Sequence, residues 1–203
     1  MSDHTPSCGE EQERCACAPR RRLLRVALAT ALGAGLATHA ARAATDDPSK
    51  LPAATGDQLA FASWEDDPRS LTPADVVLNA APLSVYPRDP NSGVTRENAR
   101  LNQILLLRLD PATMDDATRA RAVDGILAYS AICTHAACAV SEWQADQRQL
   151  ICPCHSSAYD PAKGAARVSG PTPRPLPALP IKQVGDTLVI AGPFSGALGA
   201  PAT

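Results

Sequence analysis

The sequence predicts an all-β domain with a single short helix. Two observations carry this. Short apolar runs, several of them β-branched, recur from residue 58 onward and are separated by turn residues such as Asn91-Ser92-Gly93 and Val184-Gly185-Asp186. Only Thr113–Val123 favours a helix, with Asp115 and Asp116 in the first turn, where acidic side chains suit the helix dipole. No internal repeat is present.

The strand signals run in order. Gln58–Trp64 alternates, Asp75–Val85 is apolar and partly β-branched, and Asn102–Leu109 is a buried-strand candidate. Pro87–Asn102 is expected as a polar connection. Gly125–Cys133 and Gln149–Cys152 read as strands, with a hairpin turn near Asp146-Gln147. Ala178–Gln183 and Thr187–Ala191 close the series. The proline-rich stretch up to Pro180 is expected to pack as a rigid loop, and Gly196–Thr203 to fray.

The first 43 residues read as an export leader. Arg20-Arg21-Arg22-Leu23-Leu24-Arg25 looks like a twin-arginine signal, and Ala41-Arg42-Ala43 matches a small-x-small cleavage site. Residues 26–41 carry no Asp, Glu, Lys or Arg. Sixteen helical residues reach about 24 Å, short of the ~30 Å bilayer core. Cleavage and a periplasmic location are therefore expected, with a retained inner-membrane anchor as the alternative. Residues 44–58 read as a linker, 59–199 as one domain and 200–203 as a tail. From residue 44 the chain has 13 basic and 17 acidic residues, a formal −4, and no basic cluster, so no nucleic-acid role is expected.

Two cysteine–histidine runs carry the chemistry. One is Cys133-Thr134-His135 with Cys138 after it; the other is Cys152-Pro153-Cys154-His155. Each offers one thiolate and one imidazole, so two loops could clamp a metal group from opposite sides. This matches the ligand set of a [2Fe–2S] centre in which two histidines replace two cysteines on one iron, with a potential of roughly −150 to +300 mV. Cys138 and Cys154 are left over, one per loop, and a bond between them would tie the loops together in an oxidising compartment. The same four ligands could hold a tetrahedral zinc, but Cys138 and Cys154 would then have no role. The other three cysteines, Cys8, Cys15 and Cys17, precede the arginines, so cleavage would leave no unpaired thiol beyond the ligands.

The chain resembles the Rieske iron–sulfur proteins, most specifically from about Asp124 to Gly199. The resemblance implies an antiparallel β-sandwich with a cluster-binding subdomain at one end and cluster loops at 133–138, 152–160 and 170–173. It implies Cys133, His135, Cys152 and His155 as ligands, a Cys138–Cys154 disulfide, and a proline loop, Gly170-Pro171-Thr172-Pro173, over the cluster. It further implies hydroxyl donors at Ser157, toward a bridging sulfide, and Tyr159, toward a ligand sulfur; both would raise the potential. Rieske oxygenases share the ligand core but need a second iron site of two histidines and a carboxylate. Of the four histidines here, His4 and His39 lie in the leader, so such a site is not expected.

Two subfamilies compete. Ala128-Tyr129-Ser130, Leu176-Pro177 and Phe194-Ser195-Gly196 resemble the small subunit of arsenite oxidase, which implies a molybdenum-containing partner and a c-type cytochrome as acceptor. Cys152-Pro153-Cys154-His155-Ser156-Ser157-Ala158-Tyr159-Asp160 resembles the Rieske subunit of cytochrome bc1, which implies a cytochrome b partner and quinol oxidation; Ser156 stands where that family has glycine. Ala136-Ala137 departs from both families, which carry a large apolar residue and then glycine. A shifted first loop and a more exposed cluster edge are expected from it.

Overall fold

The computed structural model describes residues 47–201. The expected leader and its cleavage site lie outside the described residues, as do His4, His39, Cys8, Cys15 and Cys17. Among the described residues, ten strands form two antiparallel sheets. The larger holds β1 (Gln58–Ala60), β2 (Leu83–Arg88), β3 (Ile104–Arg108), β4 (Ile126–Ser130), β9 (Ile181–Val184) and β10 (Thr187–Ile190), in the order β4-β3-β2-β1-β10-β9. The smaller holds β5 (Glu142–Gln144), β6 (Gln149–Cys152), β7 (Ser157–Asp160) and β8 (Ala166–Ser169), in chain order. The smaller sheet is thus inserted between β4 and β9. Both cysteine–histidine runs belong to this insertion.

Strands β3 and β4 explain how the insertion is seated. Both read as unbroken apolar runs because both faces are buried. Successive side chains of a strand point to opposite faces. Ile104, Leu106, Ile126 and Ala128 therefore pack with Leu59, Val85, Leu188 and Ile190 in one core. Leu105, Leu107, Leu127 and Tyr129 pack with Leu150, Cys152 and Tyr159 in a second core beneath the small sheet. Burying one such leucine contributes about 1.5–3 kcal/mol.

Several expected elements are redrawn. The helix is only Asp116–Arg121. Asp115 is its N-cap, accepting from Thr118 N at 2.7 Å, and Asp110 likewise takes Ala112 N at 2.9 Å in a separate 3₁₀ turn. Each carboxylate claims an N–H, so one continuous helix from Thr113 does not form. The second strand starts at Leu83 and runs through Pro87, where the sequence predicts a connection. Proline is tolerated there because the pairing with β3 stops at Val85. Strands β7 and β8 are not separately predicted from the sequence.

The ends of the described chain are pinned. Asn102, fully buried, donates to Leu51 O (2.7 Å) and Arg96 O (2.9 Å) and accepts from Ala53 N (3.0 Å). The segment read as a linker is thereby held against the larger sheet. Beside it Arg96 pairs with Asp57 at 2.9 Å, both buried. At the other end Arg174 donates to Ala197 O (2.5 Å) and Gly199 O (2.6 Å), so the stretch expected to fray is tied down as far as Gly199.

Candidate metal centre

The first loop leaves β4 and closes on itself. Cys133 N donates to Cys138 O at 2.8 Å, and Ala137 N to Cys133 O at 3.0 Å. The second loop is the β6–β7 hairpin, in which Cys152 stands opposite Ser157. Ala137 and Ser156, the two residues that replace the expected glycines, have φ of 55° and 52°. Both loops keep the left-handed backbone without the residue that adopts it freely.

The structure brings the two loops together. Cys138 and Cys154 are disulfide-bonded, with Cα atoms 6.5 Å apart. Cys133 and Cys152 are free and buried. The His135 and His155 rings lie 4.7 Å apart, edge to face. Although the sulfurs of Cys138, Cys152 and Cys154 lie within 4.8 Å of one another, two of them are consumed by the disulfide. Two thiols and two imidazoles remain as the available donors.

Two of the buried polar atoms without a hydrogen-bond partner lie on or beside these loops. His135 Nδ1 and Ser157 Oγ are buried with no hydrogen-bond partner. Unpaired buried polar atoms are costly, so each calls for a partner of another kind. A metal group between the loops would supply one, and the sulfur–nitrogen donor set fits a mixed-ligand [2Fe–2S] cluster. Burial pushes the Cys152 thiol up, so ligation there would have to displace a proton.

The proline loop closes the site from β8. Pro171 and Pro173 are exposed while Thr172 between them is fully buried. Gly170 has φ +86°, and a Cβ there would lie 2.5 Å from Ser157 Cα. Only glycine lets the loop cross β7 so closely. Tyr159 Oη lies 3.3 Å from Cys133 Sγ and 2.9 Å from Thr172 Oγ1. Burial, then the neighbouring Cys133 side chain, pushes the Tyr159 hydroxyl up, so it keeps its proton at neutral pH. Sequence reasoning missed Thr134 and Thr172. Both were read only as loop positions, and nothing local marks them, because their partners lie far along the chain.

Comparison with known proteins agrees with this geometry. The family model of the Rieske [2Fe–2S] domain matches residues 102–180. This chain carries a Rieske domain. It is a domain type that binds a [2Fe–2S] cluster. The chain is 37% identical over 118 residues to a putative respiratory nitrate reductase subunit Rieske of Haloferax mediterranei, covering 58% of this chain and 50% of that protein. It is 38% identical over 79 residues to the cytochrome bc1 complex Rieske iron–sulfur subunit of Streptomyces lividans, covering 38% of this chain and 46% of that one. The chain thus spans about half the length of these curated relatives. Among solved structures it is similar to the soluble domain of Rieske protein II from Sulfolobus acidocaldarius, with a TM-score of 0.36 and 25% identity, covering 50% of this chain and 68% of that chain.

Proposed function

We propose that this Rieske chain is an exported one-electron carrier whose cluster is held by Cys133, Cys152, His135 and His155. The carrying observation is the pair of free, buried cysteines beside two imidazoles 4.7 Å apart, with His135 Nδ1 unpartnered. When bound, a [2Fe–2S] cluster takes up and gives back one electron. The protein's own residues set the conditions for that exchange. The Cys138–Cys154 bond holds the two loops in register. His155 is exposed, which offers the domain tip to a partner. Ser157 Oγ, buried and unpartnered, would donate to an inorganic sulfide, and the loop of Gly170, Pro171 and Pro173 would cover the cluster from β8. Metal analysis of the exported protein tests the assignment: two irons and two labile sulfides per chain are expected, and zinc alone would refute it.

The partner reading is that of an electron-transfer subunit of an exported oxidoreductase. It would accept electrons from a catalytic subunit, molybdenum-containing as in arsenite oxidase, and pass them to a c-type cytochrome. The relative named as a respiratory reductase subunit supports a role of this kind. Export by the twin-arginine route rests on the arginine motif and is supported by the disulfide, which suits an oxidising compartment. A second reading, a subunit of a bc1-type complex, is favoured by Tyr159 beside Cys133 and by the bc1 relative. Stopped-flow reduction separates the two. Fast reduction by a quinol within a cytochrome b complex favours the second. Inertness to quinol with fast oxidation by a c-type cytochrome favours the first. N-terminal sequencing of the exported chain tests cleavage near Ala44.

A further inference from the structure

Three buried hydroxyls stand between Cys133 and the proline loop. Tyr159, Thr134 and Thr172 are all fully buried. Tyr159 Oη lies 2.9 Å from Thr172 Oγ1 and 3.3 Å from Cys133 Sγ. Thr172 Oγ1 contacts Thr134 Oγ1. Thr134 Oγ1 lies 2.7 Å from Arg174 O, and Thr172 Oγ1 lies 3.1 Å from the same carbonyl. A further contact, Thr134 to Tyr159 at 3.4 Å, is the longest.

Each hydroxyl carries one proton, so three protons must serve this set. The Arg174 carbonyl can only accept, which fixes the direction at that end. One arrangement then serves the three closest oxygen contacts together. Tyr159 donates to Thr172, Thr172 to Thr134, and Thr134 to Arg174 O. Chains of this kind reinforce each other in a low-dielectric interior. If Tyr159 turned its proton to Cys133 Sγ, two protons would remain for three contacts. One pair of oxygens would then meet lone pair to lone pair, and burial makes such a mismatch costly.

We infer that Thr172 draws the Tyr159 hydroxyl proton away from Cys133 Sγ, so the proline loop sets how strongly Tyr159 can stabilise charge on that sulfur. The inference rests on the reading of Cys133 as a cluster ligand. Thr172 is a positioning residue: its side chain makes no hydrogen bond to Cys133, His135, Cys152 or His155 and acts through Tyr159. The donor role expected of Tyr159 from the sequence is curtailed by it. A donor aimed at a ligand sulfur raises the potential, because it stabilises the added negative charge of the reduced state. Thr172 therefore keeps the potential lower than Tyr159 alone would set it.

The test uses the cluster-loaded, exported protein. Thr172→Val keeps the shape and removes the hydroxyl. It should shift the midpoint potential upward and shift the iron–sulfur stretching bands in resonance Raman spectra. Thr172→Ser should keep the natural values of both. Tyr159→Phe should be nearly silent in the natural chain and should lower the potential in the Thr172→Val background. An unchanged or lower potential in Thr172→Val overturns the inference. The Tyr159→Phe arm needs no Thr172 variant to fold, and a fall in potential there as large as in the double variant overturns it as well. Loss of the ligand reading has a different signature: Cys133→Ser would then load the same cluster with an unaltered spectrum.

Discussion

The two ligand loops have the same span but are held by different means. Four residues separate Cys133 from Cys138, and four separate Cys152 from Ser157. Each loop ends on a non-glycine residue in the left-handed region, Ala137 or Ser156. The first loop is served from a distance. Arg100 donates to Ala137 O, Gly199 stands against Ala137, and Thr134 is buried in the hydroxyl chain. The second loop is held by its own hairpin and by one covalent link to the first. Pro153, Cys154, His155 and Ser156 are all exposed, and the hairpin register and the disulfide restrain them. A similar loop backbone can thus be held by long-range packing or by a hairpin with one cross-link. The hairpin leaves its histidine open to solvent.

The largest expected effect comes from cutting the link that the second loop depends on. The disulfide closes a separation of 16 residues, and a loop near that length is worth about 3 kcal/mol in the chain-entropy account. Replacing Cys138 and Cys154 together by serine should shorten cluster lifetime, followed by visible absorbance, more than it lowers the melting temperature. A large drop in melting temperature with unchanged cluster lifetime would mean that the hairpin needs no restraint. Among Cys133, Cys138, Cys152 and Cys154, thiol labelling after cluster removal should modify Cys133 and Cys152 only.

Gly170→Ala comes next. It forces a side chain against Ser157 Cα and places alanine at φ +86°, where the backbone term alone costs about 1–2 kcal/mol. Thermal unfolding should show a lower melting temperature. Hydrogen exchange should quicken around the second loop and leave the first, with its own anchors, little changed. Equal loosening of both loops would argue against separate restraint.

A pH series distinguishes the larger sheet's surroundings from the loops. The side chain of Arg69, with help from the Thr72 backbone N–H, holds the Asp75 carboxyl well below the usual carboxylate range. A depressed folded-state pKa stabilises the fold above the unfolded value, near 4, and that contribution fades as pH falls through the folded-state pKa. Asp75→Asn should therefore melt lower at pH 7 and converge with the natural chain in strong acid. The effect should be modest, since Arg69 is largely solvated. A constant gap at all pH values would show that the carboxylate charge contributes nothing.

The smallest effects should come from Ala137→Gly and Ser156→Gly. Each relieves a left-handed alanine or serine, about 1–2 kcal/mol, against an added unfolded-state entropy of about 0.4–1 kcal/mol. A slight gain in melting temperature is expected at both. The gain should be smaller at Ala137, where the distant contacts already hold the loop.

The candidate donor residues and their two loops were legible from the sequence because their spacing is a local property. So were the buried strands β3 and β4, the turn between β5 and β6, and the β9–β10 hairpin, where a few adjacent residues state the period or the turn. The extra strands β7 and β8, the truncated helix and the passage of β2 through Pro87 were not, since capping carboxylates and pairing partners decided them. The loops did not need glycine at Ala137 or Ser156 to take a left-handed backbone, and the type of a single residue could not show that. Tertiary structure alone placed Thr134, Thr172 and Arg174 around Tyr159, and Asn102 around Leu51 and Ala53. The physical reason is sequence distance. The Thr134–Thr172 contact joins residues 38 apart and Asn102 reaches residues 49 and 51 away. A buried hydroxyl or amide takes its role from whichever atoms the fold brings within 3 Å.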